Sequence, residues 1–273
     1  VRVEARGLSR WFGGVGALLD VDFSVEGRRI VVMGHNGSGK STLLSILYGG
    51  LFPSSGKLLV DGYEPYRERE RAIRDMTIVF ERPYFDVNAR VRDVYGVLRE
   101  NGDGDCLEFF WDVVGVKGLG SKLLPDLSSG QKQLVQLMQG LCRVSKIKVL
   151  DEAFSHLDPV NVDAVGSYIA RELKADVVLS THVPEEAEWL GEYFIVLRDG
   201  RVAWRGTLED LARENIYEVY VRGRVPEGLE VVASLGYVAL VRASEDVLFE
   251  LNSRGLIRGF RKAGVRVYYA GRA

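Results

Sequence analysis

Gly34-His35-Asn36-Gly37-Ser38-Gly39-Lys40-Ser41 fits the pattern G-x-x-x-x-G-K-[ST], a loop that cradles phosphates. Gly34, Gly37 and Gly39 let the backbone curl, so that successive N–H groups, through Asn36 and Ser38, point into one concavity. Lys40 adds a full positive charge for β- and γ-phosphates, and the Ser41 hydroxyl can ligate Mg2+. Ahead of the loop, Arg29-Ile30-Val31-Val32-Met33 reads as a buried strand. Behind it, Thr42 to Tyr48, with Leu43, Leu44, Ile46 and Leu47, reads as a helix whose positive dipole end faces the same anion. Strand, loop and helix together are the context the motif requires, and a nucleoside triphosphate is the ligand they imply.

Working outward, three further apolar runs end in polar groups. Thr77-Ile78-Val79-Phe80 ends at Glu81, Ile147 to Leu150 at Asp151-Glu152, and Val177-Val178-Leu179-Ser180 at Thr181-His182. Helical patterns separate the runs, which predicts a parallel sheet flanked by helices. Ligands of such sheets bind beyond the carboxyl ends of the strands, so all four polar ends should converge on one edge. Lys148 interrupts its strand, and its head is expected to reach solvent or a carboxylate. Asp151 is placed to hold Mg2+, and Glu152 to orient and deprotonate an attacking water. Leu127-Ser128-Ser129-Gly130-Gln131 opens another helix; Ser128 and Ser129 are N-cap types, and Gly130 allows close approach of a phosphate.

The 273 residues suffice for one large α/β unit and a small appendage, and 47% hydrophobic content supports a full core. A net charge of −2 gives no electrostatic case for nucleic acid. Cys106 and Cys142 show no metal-ligand or redox spacing, so a reducing, cytosolic compartment is expected. No apolar run is long enough to span a membrane, and Val1-Arg2-Val3-Glu4 lacks a signal-peptide pattern; an initiator Met that was removed, or left out of the numbering, would explain the starting Val. Residues 1–28 read as strands turning at Gly13-Gly14. The segment from about 83 to 126 reads as an inserted helical subdomain, with Val91 to Asn101 and Asp105 to Gly115 divided by Gly102-Asp103-Gly104. Beyond about 215, Tyr217 to Arg222, Tyr237 to Val241 and Val265 to Tyr269 alternate like strands, and Glu245 to Asn252 is a helix candidate. Arg254, Arg258, Arg261, Lys262, Arg266 and Arg272 make the end of the chain basic, either as a solvated face or as a contact for an acidic partner or membrane surface.

The phosphate loop, Leu127 to Gln131, Val149-Leu150-Asp151-Glu152, Ser155-His156-Leu157-Asp158 and Thr181-His182 follow one another as in ATP-binding-cassette (ABC) ATPases. The chain resembles the nucleotide-binding subunit of an ABC transporter over roughly residues 1–210. The resemblance implies a P-loop NTPase, a RecA-like α/β fold with a mainly parallel sheet, an antiparallel N-terminal β part and a helical insert, within residues 1–215. Residues 216–273 would form a small C-terminal α/β domain. It implies ATP and Mg2+ as cofactors, with Phe12, or Trp11 instead, stacking on adenine. Gly34, Asn36, Gly37, Ser38, Gly39, Lys40, Ser41 and Thr42 would hold the phosphates, and Ser41, Asp151 and Glu81 the metal. Glu152, His182 and Glu81 would be the catalytic groups, Glu81 standing where most members carry Gln. Ser128, Gly130 and Gln131 would reach the γ-phosphate held by a second subunit, with Ser129 replacing the usual second Gly; Ser155 and Asp158 would line the dimer interface. The implied partners are a second copy or a paired ABC subunit, and integral membrane permease subunits docking near Arg82 to Val94 at the cytoplasmic face of the membrane. Glu81 and the compact tail resemble exporters. A soluble ABC ATPase of DNA repair or translation, and a regulatory module that binds ATP without turnover, are the other readings.

Overall fold

The computed structural model describes residues 1–221, 223–265 and 267. The chain opens with an antiparallel hairpin, β1 (Arg2–Phe12) and β2 (Val15–Glu26), that turns at Gly13-Gly14. β3 (Arg29–Met33) enters a second sheet and delivers the phosphate loop into α1 (Lys40–Leu47). β4 (Ser55–Val60) returns to β1, giving a three-stranded sheet in the order β2-β1-β4. α2 (Arg69–Asp75) leads into β5 (Met76–Val79). The insert follows: α3 (Val91–Asn101), then α4 (Gly104–Glu108), N-capped by Asp103 and running on into a π-helical turn at Phe109–Val113. α5 (Ser129–Cys142) leads back to β6 (Ile147–Asp151). α6 (Pro159–Arg171), β7 (Asp176–Thr181), α7 (Pro184–Leu190), β8 (Tyr193–Arg198), β9 (Arg201–Gly206) and α8 (Leu208–Arg213) complete this part.

The second sheet has six strands in the order β5-β6-β7-β3-β8-β9, all parallel except β9. Alternation along β3 explains the layers. Ile30 and Val32 face α1 and the three-stranded sheet, in one core with Leu43, Leu44 and Leu58. Val31 and Met33 face the helical side, in a second core with Leu137, Met138 and Phe110. A strand covered on both faces has no polar side, which is why these runs read as continuous apolar segments. Each fully buried Leu, Ile or Val side chain contributes about 1.5–3 kcal/mol here.

The chain then forms β10 (Ile216–Val221), β11 (Glu230–Leu235), β12 (Val238–Arg242), α9 (Glu245–Ser253) and β13 (Ile257–Lys262). Their antiparallel sheet has the order β11-β12-β10-β13, and Leu248 of α9 packs on one face against Tyr217, Val219 and Val241. β11 and β13 were not foreseen from the sequence, and the strand expected over Val265 to Tyr269 lies largely outside the described residues. Two of the three basic residues of β13 have partners on β10: Arg261 pairs with Glu218 at 2.7 Å, and the Lys262 ammonium sits 4.5 Å above the Tyr217 ring.

One expectation is corrected, and one covalent bond was not foreseen. Cys106 of α4 and Cys142 of α5 form a disulfide, with Cα atoms 5.2 Å apart. Packing of α4 on the end of α5 makes the pair, and a separation of 36 residues carries no trace of it. Lys148 reaches neither solvent nor a carboxylate; it is buried, and its ammonium donates to the Arg143 carbonyl.

Candidate functional site

The carboxyl ends of β3, β5, β6 and β7 lie side by side, as the register Met33↔Thr181 and Asp151↔Ser180 fixes. Beyond them opens a cleft of about 450 Å3. Phe12, Asn36, Gly37, Gly39, Lys40, Ser41, Thr42, Glu81, Glu152 and His182 all line it, together with Ala17, Arg82 and Ser155. Gly39 has φ +106, and a Cβ there would lie 2.5 Å from the Ala17 carbonyl oxygen, so the turn into α1 admits no larger residue without a shift. Ser38 is fully buried beneath the loop, against Gly34.

Charge is concentrated at the floor of the cleft. The buried Lys40 ammonium donates to the carbonyls of Gly34 (2.8 Å) and His35 (3.2 Å) and lies 3.1 Å from Glu152 Oε1. That last contact is a charge pair off the hydrogen-bond direction, since Glu152 Oε1 accepts no hydrogen bond. The other oxygen, Oε2, meets His182 Nδ1 at 2.7 Å; an ionised carboxylate there requires the proton on Nδ1. One carboxylate therefore bridges the phosphate-loop lysine and the histidine. Glu152 itself has φ 47, a left-handed backbone that costs a non-glycine residue about 1–3 kcal/mol and clusters at functional sites.

Asp151 stands beside it. Ser41 Oγ donates to Asp151 Oδ1 at 3.1 Å, and Ser180 Oγ to the same oxygen at 2.6 Å. Burial pushes the Asp151 carboxyl above its usual range; the two hydroxyls oppose this, and the charges of Glu152 and Glu81 add to it. A hard divalent cation would relieve that strain. The donor set fits one: hydroxyl and carboxylate oxygens on one spot, with no cluster of three His, Cys, Asp or Glu among the described residues to form a closed cage. Mg2+ is held this way, by one or two protein oxygens plus phosphates and water.

Ser128, Gly130 and Gln131 do not join the cleft. They form the N-terminus of α5, where Ser128 Oγ accepts from Gln131 N–H and Gln131 Oε1 accepts from Ser128 N–H, both at 3.3 Å. A Cβ on Gly130 would lie 2.8 Å from the His156 carbonyl oxygen, so this helix end is pressed against the segment after Glu152. Asp158 N-caps α6 through Asn161 N–H at 2.9 Å. Phe12, rather than Trp11, faces the cleft; Trp11 covers Gly16, and the Arg10 guanidinium lies 4.5 Å from the Phe12 ring centroid.

Sequence reasoning missed the supports. Ser180 also accepts the Glu152 N–H at 3.0 Å, so it holds both acidic residues. Gln133 of α5 donates to the carbonyls of Ala153 (2.8 Å) and Phe80 (3.3 Å), and Gln136 accepts the Phe80 N–H at 3.0 Å. The strand end carrying Glu81 is thus gripped by the helix that begins at Ser128. Strand order and helix placement create these contacts; their one sequence signal is polar residues on a helix otherwise buried.

A family model described as "ABC transporter" matches residues 18–155. The uncharacterized ABC transporter ATP-binding protein MJ1023 of Methanocaldococcus jannaschii is 29% identical over 252 residues, 90% of this chain and 93% of that protein. The thiamine import ATP-binding protein ThiQ of Salmonella choleraesuis is 31% identical over 200 residues, 68% of this chain and 83% of that protein. A solved structure of an ATP binding subunit of an ABC transporter superposes with a TM-score of 0.68 at 25% identity, over 78% of this chain and 92% of that one.

Proposed function

Because the chain belongs to the ATP-binding subunits of ABC transporters, ATPases that drive transport, we propose that it hydrolyses Mg-ATP as a head-to-tail dimer docked on separate membrane subunits. The observation that carries this reading is the Glu152 carboxylate, shared between Lys40 and His182 on the cleft floor. Phe12 presents its ring to the adenine, and the backbone N–H groups from Asn36 to Thr42 with Lys40 take the phosphates. Ser41 and Asp151, with Glu81 at the rim, would hold Mg2+, which would supply positive charge against the phosphates. As the phosphates draw Lys40 toward themselves, Glu152 is released to orient a water and accept its proton. His182 stays tied to that carboxylate through Nδ1 and fixes its direction.

The dimer answers a geometric mismatch. Each chain has one phosphate loop but a second anion-seeking helix end, at Ser128, that its own cleft does not include. A twofold arrangement puts that end over the partner's nucleotide. The membrane subunit docks beside Glu81, where an apolar groove of about 640 Å3 runs between Ile73, Phe80, Tyr84, Phe85 and Leu98. At the start of α3, Arg90 donates to the Ser121 carbonyl, whereas Arg92 is exposed and can meet a partner. No helix among the described residues is long and apolar enough to cross a membrane, so a peripheral place at its cytoplasmic face follows from this docking. Glu81 and the C-terminal sheet support export, whereas the thiamine import relative supports the opposite direction. Transport assayed in vesicles of both orientations decides between them.

Glu152→Gln tests the reading. Turnover should fall by about 10²–10⁴-fold while Mg-ATP still drives dimerisation. Wild-type turnover in that variant would remove Glu152 from its role, and normal hydrolysis by Lys40→Ala would remove the whole site.

A further inference from the structure

We infer that the C-terminal segment 263–265 positions His182 through α7, with Glu186 and Glu188 as the positioning residues at the two ends of that link. The inference rests on the proposed role of His182 and assigns the C-terminal extension a task in the same site.

α7 is a seven-residue helix that begins directly after the His182 loop. So short a helix has little stability of its own, so its neighbours decide where it sits. Toward the cleft, Thr181 Oγ1 donates to Glu186 Oε2 at 2.7 Å and accepts the Val183 N–H at 3.0 Å. The residues on both sides of His182 are thereby fastened to α7. Toward the C-terminal part, Glu188 Oε1 accepts the Val265 N–H at 2.8 Å. The chain passes so close here that a Cβ on Gly264 would lie 1.7 Å from that oxygen. Val265 is fully buried in the same core as Ala187, Leu190 and Leu211, so the segment is packed into the ATPase body and does not merely rest on it. A small polar cleft between Pro184, Glu188, Glu218 and Arg261 marks the rest of the seam. Neither glutamate lines the nucleotide cleft. Both act on the chemistry only by fixing where His182, and with it Glu152, stands.

The test is made on the full chain. Glu188→Ala removes the acceptor for Val265 N–H, and Gly264→Ala pushes the carboxylate away from the tail side without altering α7. Both should lower kcat, by at most about a hundredfold, the worth of one charged hydrogen bond if all of it falls on the chemical step. KM for Mg-ATP should stay within about twofold, because the phosphate loop is untouched. Amide hydrogen exchange over residues 181–190 should quicken in both variants. Glu188→Gln, whose amide oxygen still accepts, should recover most of the kcat. Wild-type kcat and exchange in a folded Glu188→Ala or Gly264→Ala protein would overturn the inference. So would a loss of kcat with unchanged exchange, or an equal loss in Glu188→Gln. Glu152→Gln is measured alongside: if it is dead and Glu188→Ala is normal, only the positioning role falls, whereas an active Glu152→Gln brings down the site reading itself.

Discussion

Lys148 shows how one side chain can set a pH dependence far from any ligand. Burial, followed by the charge of Arg143, pushes its ammonium down from 10.5 to about 8, with Asp103 opposing. Above 10.5 the group is neutral in both folded and unfolded chains and costs nothing. As pH falls toward 8 the unfolded chain takes up the proton and the native one does not, so stability is lost over that window and stays lost below it. The span corresponds to about 3 kcal/mol. Lys148→Met has no such dependence. The stability gap between the two proteins should therefore shift toward wild type by about 3 kcal/mol between pH 7.5 and 10.5, read from denaturant midpoints. A gap that ignores pH would mean that the ammonium is solvated after all. The residues of the cleft were legible in the sequence for the opposite reason to Lys148: loop, strand end and histidine each carry a local pattern, and register Met33↔Thr181 brings them together. Ser180 was not legible as a support, because its partner Asp151 lies on a neighbouring strand 29 residues away, and strand order is written in no short motif.

At the scale of elements, α5 is the member most heavily used. Its start offers Ser128, its middle holds Phe80 and Ala153 through Gln133, and its end is bonded to α4 through Cys142. Gln133→Leu leaves those two carbonyls without a donor. It should cost about 1–3 kcal/mol and lower ATPase activity, since the Glu81 and Glu152 segments lose their common brace. The disulfide closes a loop across 36 residues, from α4 in the insert to the end of α5, worth about 3–4 kcal/mol in the chain-entropy view. Reductant should therefore lower the melting temperature by several degrees, and Cys106→Ser/Cys142→Ser should melt at the reduced value with no response to reductant. A wild-type melting curve indifferent to reductant would show that the bond contributes nothing. Helices such as α3 were legible because a helical pattern and the Gly102-Asp103-Gly104 stop agree within one segment. β13 was not, since Arg261 and Lys262 read as solvated charge until β10 supplies Glu218 and Tyr217.

For the whole molecule the decisive fact is what the cleft leaves out. Ser128 lies on the surface at the start of α5, and its own chain's nucleotide cleft does not include it. If each active site takes its phosphate loop from one chain and its Ser128 helix from the other, the two kinds of damage must complement. Lys40→Ala spoils the loop and keeps the helix end; Ser128→Arg does the reverse, at a cost of about 1 kcal/mol for the lost cap. Each protein alone should be inactive, and Ser128→Arg should still bind ATP with its own loop. Mixed in equal amounts they form hybrid dimers in which one site is intact and the other is doubly broken. Random pairing makes half the dimers hybrid, so activity should return to at most roughly a quarter of wild type. The recovery should rise with protein concentration as pairs assemble, and a steady-state ATPase titration reads it directly. A mixture as dead as its components would place both elements in service of one chain's nucleotide, and the twofold arrangement would have no reason to exist.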